Sequence, residues 1–291
     1  MDDASSSNHP QLPAPQMIQS TNDVELALYD LGGDAEDVLM VHATGFCAGV
    51  WLPVAERLGG LHLSALDVRG HGRSTVPQTG MDWNGTAQDV LATVDALGLE
   101  EPFGVGHSMG GASLVLAEQA RPGTFRGLWL FEPIIFPPEL NTGSDNPLAT
   151  GARRRRAAFT SASEAFKNFS SKPPFSALDP AALAAYIEYG FEPHDDGSVS
   201  LRCLPEVEAQ TYEMGSRHDA FSHLDEIHCP VTVLRGAESY PGPASLAPRI
   251  AELLPSGELE EHPELGHFGP LESPSSMAES ILAAMKADPR S

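Results

Sequence analysis

Short apolar runs alternate with longer amphipathic runs along much of the chain. The apolar runs, such as those at 128–131 and 231–234, are bounded by glycine, proline or charged residues, which is typical of buried strands. The longer runs, such as 84–99, repeat their apolar residues at helical spacing, which predicts helices with one buried face. Because strands alternate with helices, the pattern predicts an α/β fold with a mostly parallel sheet and crossover helices.

The same pattern divides the chain into three parts. Residues 1–20 are polar and contain several prolines, so we predict a flexible N-terminal arm. The alternation of strands and helices covers 21–135 and resumes at 229–291, and these two segments are predicted to form one core domain. Between them, 136–228 has no good strand pattern and joins short helical patterns by proline- and glycine-rich links. We therefore predict that 136–228 is a helical cap inserted into the core.

Composition and charge narrow the set of partners. The chain has 40 acidic and 17 basic side chains and a net charge of −23, which disfavours nucleic acids and anionic membranes. No apolar run approaches the roughly 18–20 residues of a membrane span, and the N-terminus lacks a signal-peptide pattern, so a cytoplasmic location is expected. The three cysteines have neither CxxC spacing nor clustered histidines, so no metal and no other cofactor is expected. Monomer and homodimer both remain open.

One short motif contains the candidate catalytic residue. The residues GHSMG at 106–110 match the pattern G-x-S-x-G, and they lie between a strand-like run and a helix-like run. A direct turn from strand to helix strains the central residue, and the turn closes only if the residues two positions away lack side chains. The strain would hold the hydroxyl of Ser108 above the sheet, at the positive end of a helix dipole. Such a serine can act as a nucleophile towards a carbonyl carbon.

These residues resemble the nucleophile elbow of the α/β-hydrolase superfamily. Three further segments resemble its other motifs, in the family's order: the oxyanion loop in HATGF (42–46), the Gly-rich loop in DVRGHGRS (67–74) and the histidine loop in GHFGP (266–270). The resemblance covers nearly the whole chain outside the predicted cap. It implies an α/β-hydrolase fold with a mostly parallel sheet of the eight-stranded type, flanking helices and a helical cap insertion.

The resemblance also implies roles for particular residues. Ser108 takes the place of the nucleophile, and serine rather than aspartate favours acyl transfer with esters, lactones, amides or carbon–carbon bonds beside a ketone. His267 corresponds to the base that accepts the serine proton. The backbone N–H groups of Thr44 and Met109 are the expected oxyanion donors. Ala43 stands where the family usually has glycine, and its methyl group is tolerated if the backbone there is not in a conformation that only glycine adopts.

The third member of the expected triad is not where the family usually has it. The loop after the strand-like run 231–234 offers the uncharged Ser239, and Glu238 lies one residue too early. A hydrolase of this fold can also place the acid at the end of the strand that follows the elbow helix, where this chain has Glu132. A carboxylate directly after an apolar strand needs a buried partner, which His267 would provide. We therefore predict Glu132 as the acid, with Glu238 as the alternative.

Together these features predict a serine hydrolase that cleaves a small-molecule carboxylic ester or lactone. Three alternatives remain: a hydrolase of carbon–carbon bonds in diketones or ring-cleavage products, a biosynthetic acyltransferase or cyclase, and a catalytically silent ligand receptor. The basic run RRRR at 153–156 lies in the predicted cap. We interpret these arginines as partners of nearby acidic residues rather than as a site for an anionic substrate.

Overall fold

The computed structural model describes residues 11–140, 146–215, 217–237 and 242–287, and a large central sheet dominates it. The eight strands of this sheet have the order β1-β2-β4-β3-β5-β6-β10-β11. The pairs β1–β2 and β2–β4 are antiparallel and the other pairs are parallel, which confirms the predicted mostly parallel eight-stranded sheet. The strands of the structure are β1 (Gln16–Gln19), β2 (Glu25–Gly32), β3 (Asp37–Val41), β4 (His62–Leu66), β5 (Phe103–His107), β6 (Gly127–Phe131), β7 (Ala158–Phe159), β8 (Phe191–Pro193), β9 (Val199–Leu201), β10 (Val231–Arg235) and β11 (Gly257–Glu261).

Helices connect the strands and form the cap. They are α1 (Leu52–Ala55), α2 (Trp83–Leu97), α3 (Met109–Ala120), α4 (Pro147–Arg153), α5 (Ala162–Ser170), α6 (Pro180–Tyr189), α7 (Pro205–Met214), α8 (Pro243–Leu253), α9 (Gly269–Glu272) and α10 (Pro274–Ala287). Short 3-10 helices lie at Ala48–Trp51, Pro138–Leu140, Phe175–Ala177 and Ala220–Glu226. Over the ranges that the structure describes, no helix combines the length and the apolar character needed to cross a membrane.

Helices cover both faces of the central strands, and successive residues of each strand point to opposite faces. In β6, Leu128 and Leu130 pack with the apolar faces of α2, α3 and α8. Their neighbours Trp129 and Phe131 pack on the other face with α1 and α10. Continuous apolar strands are typical of sheets covered by helices on both sides, which explains why these runs showed no polar alternation.

The prediction of a flexible arm over 1–20 is wrong for part of that segment. Gln16–Gln19 forms β1 and pairs antiparallel with β2, with Gln19 opposite Glu25. This edge strand is mostly exposed, so it needs only backbone hydrogen bonds from its neighbour and no apolar alternation. Residues 1–10 lie outside the described part of the chain.

The cap differs from the purely helical prediction. Besides helices α4 to α7, it contains a three-stranded antiparallel sheet with the order β7-β9-β8. These strands have only two or three residues each, too few to show a periodic pattern in the sequence. The predicted boundary at 228 also lies too late, because four apolar residues of the segment before it join the core beneath the sheet: Ala220, Phe221, Leu224 and Ile227.

A buried ion pair joins the Gly-rich loop after β4 to helix α2. The guanidinium of Arg69 donates from Nε and Nη2 to the two carboxylate oxygens of Asp89 at 2.8 and 2.7 Å, and both side chains are fully buried. Gly85 makes room for this pair, since a Cβ there would lie 2.0 Å from Nη1 of Arg69. The two-pronged geometry offsets part of the cost of removing both charges from water.

Replacing Asp89 by asparagine is predicted to destabilise the fold strongly. Asp89→Asn removes the buried counter-charge of the Arg69 guanidinium and leaves it only the half-exposed Asp82 at 3.9 Å, so we expect a loss of about 3–5 kcal/mol in the free energy of unfolding. Asp95→Asn is the matched control, because Asp95 lies on the same helix and pairs with Arg121 at 2.7 Å but is largely exposed. This control is expected to lose less than about 1 kcal/mol. Urea unfolding of both variants measures the difference, and equal losses would contradict the prediction.

Candidate active site

Ser108 is the single residue between a strand and a helix. β5 ends at His107 and α3 begins at Met109, and Ser108 has a φ of +55°, in the region that residues with side chains rarely adopt. The flanking glycines are required for this turn. A Cβ on Gly106 would lie 2.7 Å from Gly111, and one on Gly110 would lie 2.1 Å from the carbonyl oxygen of Val41. The turn therefore has the strained form that the motif predicts, with Ser108 at the N-terminus of α3.

The register of the sheet places Glu132 beside Ser108. His107 at the end of β5 is directly opposite Phe131 at the end of β6, so Ser108 and Glu132 leave neighbouring strands at the same level. Their N–H groups continue the ladder: Ser108 donates to the carbonyl of Phe131 at 2.9 Å, and Glu132 donates to that of Leu234 at 2.9 Å. Glu132 also has a positive φ, of +44°. Two strained residues on adjacent strand ends are typical of a functional site.

A hydrogen-bonded chain links the three residues predicted as a triad. Nε2 of His267 lies 3.1 Å from Oγ of Ser108, and Nδ1 of His267 lies 2.6 Å from Oε2 of Glu132. With a proton on Nδ1, the imidazole donates to the carboxylate and leaves Nε2 free to accept from the serine hydroxyl. Glu132 is almost completely buried, whereas the side chain of His267 is about one-third exposed. The structure thus brings the three residues together, and their catalytic roles stay a prediction.

The second oxygen of Glu132 has a partner that the sequence did not reveal. Oε1 of Glu132 accepts a hydrogen bond from the N–H of Gly236 at 2.9 Å. Gly236 lies just after β10, and a Cβ on it would lie 2.5 Å from the carbonyl oxygen of Leu265 in the histidine loop. The glycine therefore lets the two loops close around the carboxylate. Glu238 and Ser239 lie outside the described residues.

His107 supports the position of His267. Its Nε2 lies 2.7 Å from the backbone carbonyl oxygen of His267, and burial together with the nearby His267 ring holds the pKa of His107 well below its usual value. His107 is therefore neutral, and its Nε2–H donates to that carbonyl. The motif residue between Gly106 and Ser108 thus fastens the histidine loop to the elbow.

The predicted oxyanion donors are next to the serine. Met109 is the first residue of α3, and Thr44 lines the same cavity as Ser108. Within the described ranges, neither the Thr44 nor the Met109 N–H donates a hydrogen bond to another group of the protein. The backbone of Ala43 is outside the left-handed region, so its methyl group causes no strain where the family usually has glycine.

His42 braces the loop that carries Thr44. Its Nδ1 lies 2.8 Å from the carbonyl oxygen of Ala43, and its Nε2 accepts from the N–H of Val68 at 3.1 Å. Complete burial lowers the pKa of His42 to about 4, so the ring is neutral at pH 7 and can make both contacts at once. This arrangement connects the loop after β3 to the loop after β4.

A small cavity of about 340 Å³ opens in front of Ser108 and His267. None of its described lining residues is an aspartate, glutamate, lysine or arginine. The core contributes Ala43, Thr44, Trp83, Ser108, Ile134, Gly242, Pro243, His267 and Phe268, and the predicted cap contributes Phe136, Asn146, Leu148, Thr211, Tyr212 and Gly215. The cavity therefore suits an uncharged and largely apolar group.

Three of the four cap arginines pair with acidic residues. Arg153 contacts Glu206 and Glu213, and Arg156 contacts Glu164. The third, Arg155, pairs with Glu208 and has Tyr186 as a further partner. These pairs agree with the interpretation of the run as a set of partners for nearby acids. None of the three arginines lines the cavity at Ser108.

Comparisons with known proteins identify the family and the fold. The family model described as "Alpha/beta hydrolase family" matches residues 38–280. The chain is similar to a 2-(acetamidomethylene)succinate hydrolase of Mesorhizobium japonicum, with 26% identity over 81% of this chain and 83% of the relative. It is also similar to a bifunctional esterase/perhydrolase of Acinetobacter calcoaceticus, with 24% identity over 78% of this chain and 83% of the relative.

A solved structure shares the same fold. The crystal structure of E-2-(acetamidomethylene)succinate hydrolase superposes with a TM-score of 0.77 and 22% identity. The match covers 94% of this chain and all of that chain. At this level of identity the likeness concerns the fold alone, so the reaction has to be argued from the side chains around Ser108.

Replacing Glu132 is predicted to slow the reaction of Ser108 with a fluorophosphonate probe. In Glu132→Gln the imidazole of His267 loses the carboxylate that orients it and stabilises its charged form, so we expect labelling to slow by about 100-fold or more. The rate of probe incorporation, followed by mass spectrometry, measures this. Glu238→Gln is the control and should label at the wild-type rate. The opposite order of effects would show that Glu238, and not Glu132, is the acid.

The buried His42 predicts a loss of stability in acid. Its pKa is about 4 in the folded state against about 6.5 when unfolded, so the unfolded chain binds more protons between these values. The contribution of the neutral ring to the free energy of unfolding is fully present above pH 6.5 and is lost as the pH falls towards 4. At pH 4.5 this loss amounts to about 2–3 kcal/mol. Urea unfolding at pH 7 and 4.5 should show a smaller loss in His42→Gln than in wild type. The exposed His194→Gln is the control and should lose as much stability as wild type.

Proposed function

Because the chain belongs to the α/β hydrolase family, we propose that it is a serine hydrolase that cleaves a carboxylic ester or lactone through an acyl-enzyme on Ser108. The observation that carries this proposal is the chain of contacts from Ser108 through His267 to the buried carboxylate of Glu132. A serine hydroxyl is a weak nucleophile unless a neighbouring base takes its proton. This site offers that base, already oriented by an acid.

In the proposed first half-reaction, Oγ of Ser108 attacks the carbonyl carbon of the substrate. Nε2 of His267 takes the serine proton and then passes it to the oxygen of the leaving alcohol as the carbon–oxygen bond breaks. Glu132 keeps the proton of Nδ1 in place and stabilises the imidazolium that forms. The negative charge on the former carbonyl oxygen is held by the N–H groups of Thr44 and Met109.

In the proposed second half-reaction, water replaces the alcohol. His267 takes a proton from the water while the water oxygen attacks the carbonyl carbon of the acyl-enzyme. The histidine returns this proton to Oγ of Ser108 when the acid product leaves. For a lactone, the alcohol and the acid belong to the same product molecule. No cofactor takes part in this scheme, since each proton transfer uses His267.

The cavity supports a small, uncharged substrate. Its volume of about 340 Å³ lies at the lower end of the range for ligand sites, which is roughly 300–1,000 Å³. The side chains of Trp83, Ile134, Phe136 and Leu148 supply an apolar wall. A carboxylate next to the scissile bond would find no basic side chain among the described lining residues. We therefore propose an ester or lactone whose acyl part is short and apolar.

Hydrolysis of p-nitrophenyl esters from acetate to palmitate tests this proposal. We expect the highest kcat/KM with short to medium acyl chains, because the cavity volume lies at the lower end of the range for ligand sites. Ser108→Ala is the control and should have no activity above background. Activity that persists in the control would contradict an acyl-enzyme on Ser108.

Lack of activity towards every ester would reject the proposed substrate class. If Ser108 still reacted with a fluorophosphonate, assays with a diketone or with an alcohol acceptor would distinguish carbon–carbon hydrolysis from acyl transfer. If Ser108 did not react, the silent-receptor alternative would be favoured.

A further inference from the structure

We propose that two cap residues, Arg155 and Glu208, act as positioning residues for the oxyanion loop, which comprises residues 42–46. The inference rests on the proposed acyl transfer at Ser108, because it concerns the N–H of Thr44 in that loop. It assigns to the cap a part in transition-state stabilisation, in addition to covering the cavity.

The pair is held in one arrangement by several contacts. Nη1 of Arg155 donates to Oε2 of Glu208, and Nη2 donates to the hydroxyl of Tyr186 at 2.8 Å. The Glu208 side chain is only 6% exposed and that of Arg155 is 19% exposed. The guanidinium also lies over the ring of Phe175, with 5.9 Å between its central carbon and the ring centre. Three cap segments, α6, α7 and the link after α4, are thus joined at one point.

This pair packs directly on the loop at Gly45. Gly45 has a φ of +81°, and a Cβ on it would lie 3.0 Å from Oε1 of Glu208 and 3.4 Å from Nη1 of Arg155. The carboxylate and the guanidinium therefore fill the space that a side chain at Gly45 would take. Gly45 follows Thr44 directly, so a shift of the pair would change the backbone next to the proposed donor.

The next residue of the loop is also held by the cap. The ring of Phe46 contacts the rings of Phe175 and Tyr186 in the cap, with centre-to-centre distances of 5.9 and 5.0 Å. On the other side of Thr44, the ring of His42 holds the loop to the loop after β4. Thr44 therefore lies between an anchor on the core and an anchor on the cap.

A buried ion pair is a costly way to fill this space. Two desolvated charges contribute little net stability compared with apolar side chains of similar volume, so stability alone does not explain them. What the pair adds is direction, because the planar guanidinium fixes the Glu208 carboxylate against Gly45. A donor displaced by about 1 Å can cost about 100-fold in rate, so fixing this backbone matters for catalysis.

The test compares two identical substitutions on helix α7. Glu208→Gln removes the charge that holds Arg155, and we expect kcat to fall about 10- to 100-fold with little change in KM. Glu206→Gln is the matched control, because Glu206 pairs with Arg153 of the same arginine run but is exposed and is not among the nearest atoms to a Cβ on Gly45. The control should keep the wild-type kcat. An unchanged kcat in Glu208→Gln, or an effect on KM alone, would overturn the proposal.

A second variant avoids leaving one charge buried without its partner, which could itself destabilise the fold. In the double variant Arg155→Met with Glu208→Leu, apolar side chains replace both charges, which the fold should tolerate. We expect a melting temperature near that of wild type but slower reaction of Ser108 with a fluorophosphonate, again by about 10- to 100-fold. A melting temperature and a labelling rate both equal to those of wild type would overturn the proposal.

The labelling rate also separates this inference from the proposed substrate class. Fluorophosphonates react with Ser108 through an intermediate whose oxygen is held by the same N–H donors, so the ratio of rates requires no known substrate. If no ester were turned over but the Glu208 variants labelled slowly, the ester proposal would fail and the positioning role would be supported. If esters were turned over and labelling were unaffected, the positioning role would fail alone.

Discussion

The level at which β5 and β6 end determines the geometry of this site. Because His107 and Phe131 are paired in the parallel register, the residues that follow them, Ser108 and Glu132, emerge side by side. A slip of either strand by one residue would turn that strand's side chains to the opposite face and separate Ser108 from Glu132. β10 continues the same register beyond β6 and delivers the N–H of Gly236 to the remaining carboxylate oxygen. Both oxygens of this buried carboxylate therefore have hydrogen-bond partners, which offsets part of the cost of burying it.

The surrounding core makes such a strained arrangement possible. Positive φ angles at Ser108 and Glu132 each cost free energy, and they persist because the strands beneath them are packed on both faces. The glycines of the elbow and of the adjoining loops remove the side chains that would block the turns, as at Gly110 against the carbonyl of Val41. The strained backbone angles and the close backbone contacts at the glycines therefore both depend on rigid strand ends, which hold the reacting groups in place.

The cap packs together with a loop of the site and does not only cover the cavity. Its aromatic cluster includes Phe46 from the oxyanion loop, so the apolar core of the cap and the loop are buried together. The loop itself is fastened from below by a neutral His42, whose two ring nitrogens require opposite roles. Our proposal that Arg155 and Glu208 fix Gly45 adds two charged cap residues to the groups that hold the oxyanion loop in place.

The sequence by itself determined the alternation of strands and helices and pointed to Ser108, His267 and Glu132, because these signals lie in short runs of neighbouring residues. A glutamate that directly follows a buried strand indicates a buried partner, because its carboxylate is costly to bury alone. Only the tertiary structure decided the pairing of Gln16–Gln19 with β2, the small sheet of the cap and the contact of Arg155 and Glu208 with Gly45. The exposed β1 and the two- or three-residue cap strands leave no apolar pattern in the sequence. The contact with Gly45 joins segments far apart in the chain, and it follows from the packing of the whole molecule, which local patterns do not encode.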